Sequence, residues 1–236
     1  MKTFKPVAGP FRERPYYELE EIERICSSEL QAVGLYPDGP QPIRIERFVE
    51  RRFGVTPEYE DLAPGVLGWT KFGPKGVEAI VVARALSEEQ SRVAERRINT
   101  TLAHEAGHGL LHAHLFVLGA ETLSLFGRDG DVEPQRILCR EDSGARTGSR
   151  PSYSGQWWEF QANQAMGALL LPKGLVEMAL AEVLALRGTL GERMLPEDRR
   201  EHAAHLLAET FDVNPVVARI RLASLYPGGR LDQLTL

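Results

Sequence analysis

The run TLAHEAGHGLLHAH, residues 101–114, carries His104, His108, His112 and His114 out of only six histidines in the chain. His104 and His108 are four residues apart, with Glu105 beside the first. On a helix, positions i and i+4 share one face about one turn apart. Two imidazoles so placed can grip one metal ion, and the intervening glutamate can reach a water held there as a general base. The requirement on the fold is severe. This helix must lie against another element that supplies a third ligand, because a catalytic zinc keeps three protein ligands. Without that ligand the run is a solvated or core pair of histidines.

His112 repeats the i+4 step, but it lies about 12 Å along the axis from His104 at about 1.5 Å per residue. One straight helix cannot wrap three such side chains around one ion, so His112 reads as packing or as a partner of a ligand. His114 fits the last position of H-E-x-x-H-x-x-G-x-x-H. That pattern needs glycine where Leu111 stands, and leucine continues the helix instead. Asp129, Asp131, Glu133, Glu141 and Asp142 lie in a polar stretch where charges are ordinarily solvated. Glu159 lies in WWEFQANQAMGALLLP, an apolar helix in which a lone carboxylate needs a partner unless it faces solvent. Asn163 follows on the same face and can hydrogen-bond the outer nitrogen of a ligating histidine. The expected centre is one Zn²⁺ on His104, His108 and Glu159, with Glu105 catalytic and Asn163 and His112 behind the ligands; two histidines and a glutamate favour zinc.

The rest of the chain bounds the setting. Its 236 residues suit one large domain or a domain with an appendage. A formal net charge of -5 argues against strong non-specific nucleic-acid binding. Two cysteines, Cys26 and Cys139, suit a reducing compartment. The N-terminus lacks the apolar core of a signal peptide, and no apolar run nears the ~20 residues of a membrane span. The expectation is a cytoplasmic protein with no membrane association.

Residues 1–14 read as a loose arm. A helix is predicted from Pro15 to Gly34, and a second in IRIERFVERRFG, closed by Gly54. GVLGWTKF and GVEAIVVA read as a strand hairpin. Ser87, followed by acidic residues, reads as the cap of the long helix that carries the histidines. Residues 115–156 are dense in Gly, Ser, Arg and Asp and read as a long loop or insertion. Helices are then predicted up to Pro172, over 174–187, and as a C-terminal pair in which Asn214 caps and Pro215 opens the last. The fold class is α+β, mostly helical with a small β-sheet. Residues 15–172 form the main domain, and 173–236 a helical subdomain with a helix-turn-helix outline.

TLAHEAGHGLLH followed by WEFQAN…ALLLP resembles the ImmA/IrrE family of zinc metallopeptidases. The resemblance runs from about Tyr17 to Leu225 and takes in GVLGWTKF…EAIVV and LAETFDVNPVVARIRLASL. It implies a zincin-like metallopeptidase domain, His104 and His108 as zinc ligands, Glu105 as base and Glu159 as third ligand. Members of the family are cytoplasmic bacterial regulators, several of which cleave a helix-turn-helix repressor. The implied function is therefore a zinc-dependent endopeptidase whose protein substrate is such a repressor, controlling mobile-element or stress-response genes. The gap from His108 to Glu159 is longer than the family implies, which marks residues 115–156 as an elaboration.

Two other readings compete. A latent or non-proteolytic module of the same fold would act through protein contacts, with residues 115–156 covering the cleft. Cys139 could then contact zinc as thiolate, against the plainer reading of a loop thiol. Direct DNA binding by FDVNPVVARIRL is not expected, because Arg219 and Arg221 are two apart and do not share a helix face. For the peptidase, the strand EAIVVA could pair with an extended substrate. Tyr153, His112, His202 and His205 remain candidates for stabilising an oxyanion.

Overall fold

Ile22, Cys26 and Leu30 recur at helical spacing and are at most 1% exposed on α1, Leu19–Ala32. The backbone N–H of Glu18 donates to the Glu21 carboxylate at 3.1 Å and fixes the start of this helix. The computed structural model describes residues 2–4, 14–115, 136–140, 157–187 and 192–227. The helix predicted from Pro15 begins later, because Arg14–Tyr16 is strand β2, paired antiparallel with β1, Lys2–Phe4. Part of the expected loose arm is thus a two-stranded ribbon. Helix α2, Ile45–Phe53, buries Ile45, Phe48 and Val49 and ends at Gly54, whose φ of 70° is left-handed.

The expected hairpin forms as β4, Val66–Gly73, and β5, Gly76–Ala83. With β3, Glu58–Glu60, and β6, Arg136–Arg140, these make a four-stranded sheet in the order β3-β5-β4-β6. β3 runs parallel to β5, and the other pairs are antiparallel. Two expectations change here. The stretch 115–156 is not loop throughout, since β6 pairs along β4. In β5, Val81 and Val82 pair with β3 on one edge and β4 on the other, so a substrate strand cannot add at those residues.

The long helix is α4, Arg92–Leu111, preceded by a short α3, Arg84–Glu88. Its cap is Ser91, not Ser87: the Ser91 hydroxyl accepts from the Ala94 N–H at 3.1 Å. The Ser87 hydroxyl instead donates back to the Arg84 carbonyl at 2.7 Å. α5, Trp157–Leu170, follows and packs along α4. The helix predicted over 174–187 stops early. α6 covers Lys173–Ala179, and the Leu180 carbonyl then accepts from both Val183 and Leu184 at 2.9 Å in a tight turn. A small hairpin of β7, Ala185–Arg187, and β8, Glu192–Met194, leads to α7, Arg200–Thr210, and α8, Pro215–Leu225.

One hydrophobic cluster runs from Ile22 to Tyr226 and includes residues on both sides of Pro172. Polar contacts reinforce it. Arg221 on α8 is 2% exposed and donates to the Leu171 carbonyl at 3.0 Å and to Glu23 of α1 at 2.8 Å. Arg219 donates to Glu201 of α7 at 2.9 Å. Arg92 and Arg96, in the first turns of α4, pair with Glu209 and Asp212 at the end of α7. The two arginines of the helix-turn-helix outline are therefore paired with carboxylates of the chain itself. Among the described residues, no helix is long and apolar enough to cross a membrane.

Arg221→Met should lower unfolding stability by about 3 kcal/mol, since it leaves Glu23 partly buried without its partner. Denaturant titration checks this, and an unchanged midpoint would show that the pair does not hold α8 to α1.

Candidate metal centre

A Cβ built on Gly107 would lie 3.0 Å from both the Ala162 carbonyl oxygen and the Ala165 Cβ. Even a methyl group would crowd the neighbouring helix there. Ala103, Ala106, Ala162, Ala165 and Ala168 are all fully buried around that point. Small side chains thus let α5 approach α4 almost backbone to backbone, and this closeness carries the first turn of α5 to the histidines.

His104 Nε2 lies 3.1 Å from Glu159 Oε2 and 3.1 Å from His108 Nε2, and His108 Nε2 lies 3.5 Å from Glu159 Oε1. These ligand atoms all fall within 4.8 Å of one another, so His104, His108 and Glu159 form a group that could hold a metal ion. The outer nitrogens face protein. His104 Nδ1 is 3.0 Å from Asn163 Oδ1, and His108 Nδ1 is 3.0 Å from His112 Nδ1. An amide oxygen only accepts, so Asn163 holds the proton of a neutral His104 on Nδ1 and leaves Nε2 bare toward the centre. Burial pushes His108 down to about 4, which keeps this imidazole neutral. Imidazole lone pairs facing an anionic oxygen are complemented by a cation, so the donor set fits a divalent metal.

Glu105 faces the sheet. Its carboxylate Oε2 accepts a 2.6 Å hydrogen bond from the Thr70 hydroxyl of β4. Oε1 is buried and has no hydrogen-bond partner among the described residues. Burial, opposed by His104 and Thr70, pushes Glu105 up to about 7. Gly68 explains how β4 comes so near: a Cβ there would lie 2.7 Å from Thr101 Cγ2 and from the Val81 carbonyl oxygen.

His112 is fully buried, and its Nε2 lies 3.0 Å from Gln161 Oε1. Its ring meets Trp157 edge to face at 5.5 Å between centroids. His114 is half-buried and outside the group of three. His202 and His205 are exposed on α7. Tyr153, Asp129, Asp131, Glu133, Glu141 and Asp142 lie outside the described residues. Cys139 is opposite Gly68 in the strand register, and its side chain is likewise outside them. Thr70, Gln161 and Gly107 carry no assigned role in the sequence reading. Thr70 and Gln161 had the signal that marked Glu159, a polar residue in an apolar element.

No protein-family model matches the chain, and no curated protein matches it significantly.

Gly107→Val should push α5 away and abolish binding of a divalent metal while His104, His108 and Glu159 are all still present. Metal analysis after dialysis, with circular dichroism to confirm retained helix, checks this. Full metal retention would mean that the close approach at Gly107 does not control the site.

Proposed function

We propose that this chain is a zinc-dependent endopeptidase of the ImmA/IrrE type, which cleaves a helix-turn-helix transcriptional repressor and thereby regulates gene expression. The observation that carries this reading is the convergence of His104, His108 and Glu159, with the buried Glu105 next to His104 on the same helix. Two imidazoles and one carboxylate are a donor set that zinc takes in peptidases. Bound there, zinc would supply Lewis acidity, polarising a peptide carbonyl and making water a usable nucleophile near neutrality.

The chain's own residues then supply the proton chemistry. Glu105 has one oxygen held by Thr70 and the other without a partner among the described residues, so it can accept a proton from water and pass it to the leaving amine. Burial makes the protonated state of Glu105 cheaper than in water, which lets it hold that proton between the two transfers. Asn163 and His112 orient the rings of His104 and His108. The repressor as substrate and the cytoplasm as compartment rest on the motif resemblance, with the low cysteine content in keeping with a reducing compartment.

Zinc-loaded wild type should cleave the helix-turn-helix regulator encoded beside it, and Glu105→Gln should keep the metal but lose at least about 100-fold in rate. Cleavage by Glu105→Gln at the wild-type rate would sink the mechanism. Cleavage by neither protein, both metal-loaded, favours the non-proteolytic module. Thr70→Val should lower kcat about ten-fold with metal affinity unchanged, the rate equivalent of one hydrogen bond to a charged group. Steady-state kinetics with parallel metal titration separates the two effects.

A further inference from the structure

Behind His108 a chain of hydrogen bonds leads away from the centre and ends on the N-terminal ribbon. His108 Nδ1 is 3.0 Å from His112 Nδ1, His112 Nε2 is 3.0 Å from Gln161 Oε1, and Gln161 Nε2 donates to the Pro15 carbonyl at 2.8 Å. His108, His112 and Gln161 are at most 4% exposed, so each polar atom depends on protein partners. The direction of every proton follows from the far end. A backbone carbonyl only accepts, so the Gln161 amide must turn its NH₂ to Pro15 and its oxygen to His112. An amide oxygen also only accepts, so His112 carries its proton on Nε2. A neutral imidazole has one N–H, which leaves His112 Nδ1 as an acceptor. His108 must therefore place its own proton on Nδ1 and keep Nε2 bare. That Nε2 is the atom facing His104 and Glu159.

We propose that Gln161, oriented by the Pro15 carbonyl, is a positioning residue that fixes the tautomers of His112 and His108 in series and so presents the His108 Nε2 lone pair to the metal. The inference rests on the metal-site reading above, and it makes the β1–β2 ribbon part of the centre. Asn163 acts on His104 in one step; Gln161 acts on His108 in two. His112 is then not a spare ligand but the link that transmits the amide's orientation.

Long-range ¹H–¹⁵N correlation spectra of histidine-labelled, metal-free wild type test this without any substitution. The expected pattern is His108 protonated on Nδ1 and His112 protonated on Nε2. His108 found in the Nε2–H form overturns the proposal. In Gln161→Met, which keeps the bulk but has neither amide group, the two rings should show mixed tautomers. Zn²⁺ affinity, measured by competition with a chromophoric chelator, should fall about 10- to 100-fold. Unchanged tautomers and unchanged affinity in that variant overturn the proposal while leaving the metal reading intact. The expected tautomers in a wild type that binds no Zn²⁺ support the relay and overturn the metal reading instead.

Discussion

Where α5 crosses α4, Gly107 meets the Ala162 backbone with no room for a methyl group. That contact sets the distance from which Glu159 and Asn163 reach His104, and from which Gln161 reaches His112. The face of α5 that is small at Ala162, Ala165 and Ala168 is polar toward its N-terminal end, at Glu159, Gln161 and Asn163. Apolar burial at the alanines supplies the attraction, and the polar residues then meet at distances set by it. A glycine between the two candidate ligand histidines thus shapes the centre as much as they do.

Polar groups are scarce in this interior. Thr70, Arg96, Thr101, His104, Glu105, His108, His112, Gln161 and Arg221 are the buried polar residues among those described. Six of the nine, Thr70, His104, Glu105, His108, His112 and Gln161, gather around the group that could hold a metal ion. Each costs free energy to bury unless it finds a partner. Their concentration in one place sets this region apart from Arg96 and Arg221, which are structural ties between helices.

The convergence of His104, His108 and Glu159 was legible because its logic is one-dimensional: i and i+4 on one helix, and a single carboxylate in an apolar one. Thr70 stands out as a polar residue in an apolar strand, but nothing in GVLGWTKF says which face of the strand meets Glu105. Gln161 was overlooked because a neutral amide two residues after Glu159 looks like the edge of the polar face. Element types were read well where the hydrophobic period was long, as in α1, α4 and α5. They were missed where local signals tie. Ser87 lies inside the short α3 and bonds back to Arg84, whereas Ser91 caps α4. Residues 180–187 carry helical composition, but the turn at Leu180 buries Leu180 and Val183 and ends the helix. The strand β6 lies within a polar stretch whose pairing partner is some seventy residues earlier in the chain, and no local pattern announces it.

The ties from α4 to α7 and from α8 to α1 also bear on how such a chain can diverge. Arg96 and Arg221 join the segment after Pro172 to helices that precede it, and two of the carboxylates they meet, Asp212 and Glu23, are partly shielded from water. Exchanging the last two helices for an unrelated module would strand those charges and unpin the N-terminal end of the histidine-bearing helix. Recombination at Pro172 is therefore a poor route to new specificity here. Variation is tolerated more cheaply on outward positions such as Val216 and Ile220, which lie on α8 and are each 55% exposed.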